Sequence, residues 1–304
     1  MCIRDRLSSV KGIYLNGDLS FKNAVNSERG FVFNADLKNL TATDKELRDI
    51  LPNVLGKILP SELDKFGQFN IQGKVQLTPA LMSASVRVKS QIGTFISDLE
   101  ITDVAAIDTA SYSGDIQLES FDIGALFNNP VFGKIFLKGQ VDGRGFKLEN
   151  INTKFIGNIT EFNFNGYCYK NIIANGQYQN NKFDGGLVID DANFKMKFDG
   201  LADMSLAVHK FDFKSDISYL NLEKTNLFKR DSISIVKGRI ALDIEGNAFN
   251  DILGKAIFKN VLYTNQEKEY RFKEFIVSSS LKDSIKTIDA VSYTHLTLPT
   301  IYSV

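Results

Sequence analysis

Gly133–Gly200 reads GKIFLKGQVDGRGFKLENINTKFIGNITEFNFNGYCYKNIIANGQYQNNKFDGGLVIDDANFKMKFDG, and its period decides the fold class. Ile135, Leu137, Gly139 and Val141 share one phase, while Lys134, Lys138, Gln140 and Asp142 share the other, with Phe136 as the exception. Phe194, Met196, Phe198 and Gly200 repeat the scheme against Asn193, Lys195, Lys197 and Asp199. Side chains of a strand alternate faces with period two, so each segment has an oily side and a wet side. The stretch predicts a repetitive amphipathic sheet with no catalytic constellation interrupting it.

Working outward, both ends read as something other than designed protein. MCIRDR at 1–6 matches the in-frame translation of a sequencing-library transposon end. VSYTHLTLPT at 291–300 matches the opposite-strand adapter through its whole length, with Ile301–Val304 as read-through. Segments 1–6 and 291–304 are therefore excluded from fold reasoning. The remaining 7–290 is expected to be an internal piece of a longer chain. Cys168 and His209 are then its one cysteine and one histidine, so neither a disulfide nor a His/Cys metal cluster is expected.

About 284 residues suffice for one large domain or two ordinary ones. The 36 basic and 36 acidic residues of the whole chain are spread without blocks. No basic stripe could track a phosphate backbone, which argues against nucleic-acid binding. No run of about 18 apolar residues could span a bilayer as a helix.

Strands are expected at Ile13–Phe21, Phe31–Leu37, Phe69–Leu77, and near Ala84–Lys89, Thr94–Ile101 and Ser111–Glu119. Between the second and third the period changes. Thr43-Asp44-Lys45-Glu46 is a capping box, and Leu47, Ile50, Leu51, Val54, Leu55, Ile58 and Leu59 follow at helical spacing. Pro52 and Pro60 break this into short helices over about 43–66, the last starting near Ser61. The segment reads either as a helix capping the sheet or as an amphipathic plug or membrane-surface helix, although its polar face is mixed in charge. A short helical turn is expected at Ile123–Asn128 and a short helix at Leu220–Phe228. Phe211, Phe213, Ile217 and Tyr219 share a phase, Ile240, Leu242, Ile244 and Gly246 form a strand, and Ala256–Tyr263 and Tyr270–Ser278 follow.

Glycine recurs in the apolar phase at Gly17, Gly73, Gly114, Gly139, Gly176, Gly185, Gly200, Gly238 and Gly246. Glycine inside a strand marks a bend, a bulge or a close backbone approach. The intervals are too irregular for an exact solenoid repeat. A sheet with one greasy face must cover it, and a single barrel of roughly sixteen strands would leave a wide lumen. The expected fold is all-β with a few short helices: an elongated, curled antiparallel sheet, an open β-trough with a hydrophobic inner face.

Three phrases carry a family resemblance: LPNVLGKILPSELDKFGQFNIQGKVQLTP, the run from SFDIGALFNNPVFGKIFLKGQVDG to ANFKMKFDGLADMS, and LNLEKTNLFKRDSISIVKGRIALDIEGN. With this grammar the chain resembles the translocation and assembly module (TamB) and AsmA-like family, most of all its Bacteroidota versions, across essentially all of 7–290. The resemblance implies a periplasmic β-taco anchored in the inner membrane through an N-terminal helix outside this piece. It further implies movement of phospholipid between inner and outer membranes, or support of outer-membrane protein assembly. The barrel partner would dock through a C-terminal region also outside this piece. It implies no catalytic residue and no cofactor.

On that reading phospholipid acyl chains lie along the inner face. Candidate groove residues are Ile135, Leu137, Val141, Phe194, Met196, Phe198, Phe211, Phe213, Ile240, Leu242 and Ile244. The alternative for these side chains is a dry core packed on itself. His209 sits in the apolar phase without a partner base, and Cys168 has no partner thiol. Asp190-Asp191 and Asp142-Gly143-Arg144-Gly145 read as turns with neither calcium-loop nor phosphate-loop spacing, and Lys229-Arg230-Asp231 as a solvated loop. With no nucleophile–base pair, an enzyme is not expected. The rival reading from another class is a structural or adhesive surface β-solenoid with a dry core. An outer-membrane barrel is disfavoured by the helical signals at 43–66.

Overall fold

A computed structural model describes residues 2–3, 12–22, 30–50, 59–147, 149–205, 207–227, 232–247, 251–282 and 285–292. The chain is all-β with short helices only, and it divides into two compact units, 1–183 and 184–304.

The first unit runs β1 (Cys2–Ile3), β2 (Tyr14–Lys22), β3 (Val32–Thr43), β4 (Gln68–Leu77), β5 (Leu81–Ser90), β6 (Gly93–Thr102), β7 (Ser111–Asp122), β8 (Phe132–Arg144), β9 (Asn152–Phe164) and β10 (Tyr167–Gln179). Each strand pairs antiparallel with its sequence neighbour, giving an open meander. Cys2 and Ile3 lie opposite Ser20 and Leu19 as the short β1. Two in-phase glycines show why the strands can coil tightly. A Cβ on Gly73 (φ 130°) would sit 2.2 Å from the Ser85 carbonyl oxygen, and one on Gly114 (φ 137°) 2.1 Å from that of Asp98. Only glycine permits that approach in that backbone conformation.

Among the described residues four short helices connect these strands. The capping box at 43–46 forms: Thr43 N–H donates to Glu46 Oε2 (2.8 Å) and Glu46 N–H to Thr43 Oγ1 (3.3 Å), opening α1 (Asp44–Ile50). A 3-10 helix, Ser61–Phe66, starts directly after Pro60. Leu51, Pro52, Val54, Leu55 and Ile58 lie outside the described residues. A second 3-10 helix spans Val104–Thr109. α2 (Ile123–Phe127) is capped by Asp122, whose carboxylate accepts from Ala125 N–H at 2.9 Å, and ends on the left-handed Asn128.

The second unit, which begins inside β11 (Lys182–Asp190), continues with β12 (Phe194–Asp203), β13 (Lys210–Asn221), β14 (Ser234–Glu245), β15 (Leu253–Asn265), β16 (Glu269–Lys282) and β17 (Ile285–Ser292). β12 to β17 form another antiparallel meander, again open. The last residues of β17, Val291 and Ser292, pair with Ile276 and Phe275.

Three local expectations need correction. Leu220 and Asn221 end β13, and 222–226 form hydrogen-bonded turns, with no helix among the described residues of 220–228. Asn221 starts a single turn, its Oδ1 accepting from Lys224 N–H (3.0 Å) and its carbonyl from Thr225 Oγ1 (2.7 Å), and the left-handed Asn226 (φ 59°) ends it, with Leu227 N–H donating to the Leu222 carbonyl (3.0 Å). Tyr219 leaves the apolar phase because the register of β13 shifts at Ser218, between Ile217 and Leu220. The bulge turns Leu220 inward, and the Tyr219 ring instead meets Lys237, whose Nζ lies 5.9 Å from its centroid. Asp142–Arg144 is strand rather than turn, paired with Ser111–Ser113 on β7 and with 152–154 on β9. Lys229-Arg230-Asp231 lies outside the described residues.

Candidate functional site: the apolar face

Register assembles the candidate groove of the second unit. Phe198, Ser215, Ile240, Phe258 and Phe275 stand in one row across β12 to β16. The next row is Gly200, Phe213, Leu242, Ala256 and Val277, and the one after holds Phe211 and Ile244. Met196 sits opposite Ile217, and Phe194 opposite Leu220. All eight candidates of this unit therefore share one face, because period two and antiparallel pairing carry the phase from strand to strand. Tilted aromatic pairs mark it: Phe198–Phe213 centroids are 4.9 Å apart and Phe258–Phe275 5.9 Å.

The face is not sealed. Phe194 is buried, next to buried Ile217 and Leu220 at one end of the strands. Met196, Phe198, Phe211, Phe213, Ile240, Leu242 and Ile244 are only half-buried. Among the described residues this unit has no helix to lay over them.

Ile135, Leu137 and Val141 belong to the first unit, where the same kind of face is covered. Ile135 is 6% exposed and packs with Ile92 and Phe121, while Leu137 joins them together with Ile123 and Leu126 of α2. Val141 packs against the cluster of Leu77, Ile101, Val104, Ile107 and Tyr112. Leu59, Leu63 and Phe66 lie on the cluster built from Ala35, Leu37, Leu40, Phe69 and Val88. Phe66 also meets Phe121 edge-on, centroids 5.7 Å apart. Of the three sequence candidates of this unit Ile135 is buried core, and Leu137 and Val141 are partly buried against packed clusters; of the eight in the other unit Phe194 is buried and seven stay half-buried with no helix over them among the described residues.

Asp108 ties the cover of the first unit together. Its Oδ1 accepts from Ser61 N–H (3.0 Å), its Oδ2 pairs with Lys147 Nζ (3.0 Å), and its carbonyl accepts from Phe146 N–H (3.1 Å) and Asn150 Nδ2 (2.7 Å). Burial pushes this carboxyl up, but the bond from Ser61 and then those to Lys147 outweigh it and hold it below the usual carboxylate range. The hydrogen bond and charge of Asp108 raise Lys147 correspondingly. The sequence reading contains neither Asp108 nor the Val104–Thr109 helix. The available signal was the Val104/Ile107 pair at helical spacing.

The polar face carries charge ladders. Lys197, Asp216, Arg239, Lys259 and Glu274 form one row, with Lys259 Nζ 3.2 Å from Glu274 Oε1. A twisted sheet is saddle-shaped, so this face is hollowed too. One hollow of ≈ 480 Å³ lies mostly among Lys197, Asp199, Lys214, Asp216, Arg239 and Lys259, and another of ≈ 950 Å³ lies over Asp18, Asp36, Lys74 and Gln76 in the first unit. Both lie mainly on the wet side of the sheet, and their mixed charges select no single ligand.

The remaining singled-out residues occupy structural places. His209 N–H donates to Asn247 Oδ1 (3.0 Å) and its carbonyl accepts from Gly246 N–H (2.9 Å), joining two loops. Cys168 is a half-buried free thiol on the polar face, opposite Asn163. Asp191 is buried and closes the turn into β12 by accepting from Asn193 N–H at 2.8 Å. Asp190 pairs with Lys195 Nζ at 2.6 Å. Among the described residues no three His, Cys, Asp or Glu side chains gather as a metal site, and no helix is long and apolar enough to cross a membrane. No protein family, curated protein or solved structure matches the chain.

Proposed function

We propose that this chain is a non-enzymatic lipid conduit of the bacterial cell envelope, a portion of a TamB/AsmA-like protein. The half-open face of the second unit, with Phe198, Phe213, Ile240 and Leu242, holds phospholipid acyl chains. One observation carries the reading: an apolar surface several strands wide is left half-exposed where the first unit covers its own. Large exposed apolar patches mark binding surfaces. Each methylene taken from water onto such a face gains about 0.8 kcal/mol, and the face offers few polar side chains to anchor a chain at one place, so cargo slides. Head groups stay in water at the rim. In this reading the protein works in the periplasm, held to the inner membrane and serving an outer-membrane barrel partner through regions outside this sequence.

The second reading, a structural scaffold with a dry core, is favoured by the packed clusters of the first unit. The test is mass spectrometry of lipid extracted from protein purified from the bacterial periplasm, beside a Phe198→Asp/Phe213→Asp variant. Stoichiometric phospholipid that disappears in a folded variant supports the conduit. A folded parent without lipid replaces it with the scaffold.

A further inference from the structure

Residues 59–66 cross the apolar face of the first unit in an unusual manner for a core element. No residue of the Ser61–Phe66 helix is fully buried, yet Leu59, Leu63 and Phe66 cover buried Phe69, Val88 and Phe121. Leu63 and Phe66, three apart in a 3-10 helix, lie on one side of it, and Leu59, just ahead of the extended Pro60, packs on the same cluster.

The polar ties are few and sit at the segment's ends. At its start, Arg48 Nη2 donates to the carbonyls of Pro60 (2.9 Å) and Leu59 (3.3 Å), and Ser61 N–H donates to Asp108 Oδ1 (3.0 Å). At its finish, Gln91 N–H donates to the Phe66 carbonyl (3.1 Å). Pro60, which has no N–H to lose, precedes the helix, and Gly67, at φ 64°, follows it. Beneath it β4 to β7 keep uninterrupted ladders of their own, and β3 pairs with β4 through a bulge between Leu37 and Leu40. An element with few buried contacts and separable ties belongs to the low-stability end of a fold and opens without the rest.

We infer that 59–66 is an internal strap that occupies the apolar face of the first unit in competition with acyl chains. Leu59, Leu63 and Phe66 stand in for cargo, and the ties to Arg48, Asp108 and Gln91 hold the strap down. The inference rests on the acyl-chain reading of the second unit and adds its regulation: the open unit is loadable at all times, and the strapped unit only when the strap lifts.

The test is a Ser61→Cys/Asp108→Cys protein in a Cys2→Ser/Cys168→Ser background, oxidised to lock the strap or reduced to release it. Each form is photolabelled with a diazirine fatty acid, and the labelled peptides are mapped. The expected result is labelling near Phe198 and Phe213 in both forms, with labelling of β4–β7 in the reduced form alone. Labelling confined to the second unit in both forms, or unit-one labelling indifferent to oxidation, overturns the strap. No labelling in either unit overturns the acyl-chain reading, and the strap falls with it for lack of a competitor. Amide hydrogen exchange accompanies each form: β4–β7 stay protected after reduction if the strap is separable. Loss of that protection shows 59–66 to be ordinary core and overturns the inference.

Discussion

Phe198 and Phe213 meet as a tilted pair, 4.9 Å between ring centroids and 43° between planes, diagonal neighbours across β12 and β13, while both remain half-exposed. Aromatic pairs of this kind bring large apolar area and are ordinarily sealed in a core. Here the pair faces open space on a sheet whose other side is already solvated. The contrast with Ile135, enclosed by Ile92 and Phe121, separates two uses of one sequence pattern.

That contrast gives opposite outcomes for matched substitutions. Ile135→Ala should cost about 2–5 kcal/mol, read as a lower urea midpoint, because it opens a cavity in a packed cluster. Phe213→Ala should cost only about 1–2 kcal/mol, since part of its surface is already wet. Bound lipid should respond in the reverse order, falling for Phe213→Ala and surviving Ile135→Ala at temperatures where that variant stays folded.

The Asp108–Lys147 node predicts a pH window. Asp108 is depressed in the folded protein, so its contribution is complete above the unfolded carboxylate value of about 3.9 and fades as pH falls through its own lower value. Lys147 is raised, so its contribution is complete below about 10.4 and fades as pH rises through its higher value. Asp108→Asn should lower stability between those limits, flatten the acid limb and leave the slope from pH 5 to 8 unchanged. Urea midpoints measured against pH check this.

Thr43→Ala removes one half of the capping box and should cost about 1 kcal/mol. Glu46→Gln keeps an acceptor for Thr43 N–H and should cost less. Circular dichroism melts of the two variants rank them.

Gly73→Ala should cost about 1–3 kcal/mol, because φ 130° strains an L-residue and the added carbon meets the Ser85 carbonyl. Gly30, also at positive φ, has nothing within 4 Å of an added Cβ and should tolerate alanine better. Chemical denaturation of both variants separates steric conflict from backbone strain.

Strand positions were legible because period two is local: Phe194, Met196 and Phe198 announce their face without knowing their neighbours. The capping box at 43–46 and the turn after Asp122 were legible for the same reason, each lying within one helical turn. The tyrosine at 219 was misplaced because a bulge at Ser218 leaves no mark on the alternation. The helix expected at Leu220–Phe228 gave way to turns because Asn226 takes the left-handed conformation and closes the segment after one turn.

The sequence by itself determined an all-β chain, the phase of each strand and the oily face each strand presents, since all of these follow from nearest-neighbour geometry. Only the tertiary structure decided which oily face is covered. That choice rests on contacts of 59–66 with Gln91, Asp108 and Phe121, which are distant in sequence, and on cross-strand register that lines up Phe198, Ile240, Phe258 and Phe275. Alternation tells a residue which way to point, and packing alone tells it whether anything is there to meet it.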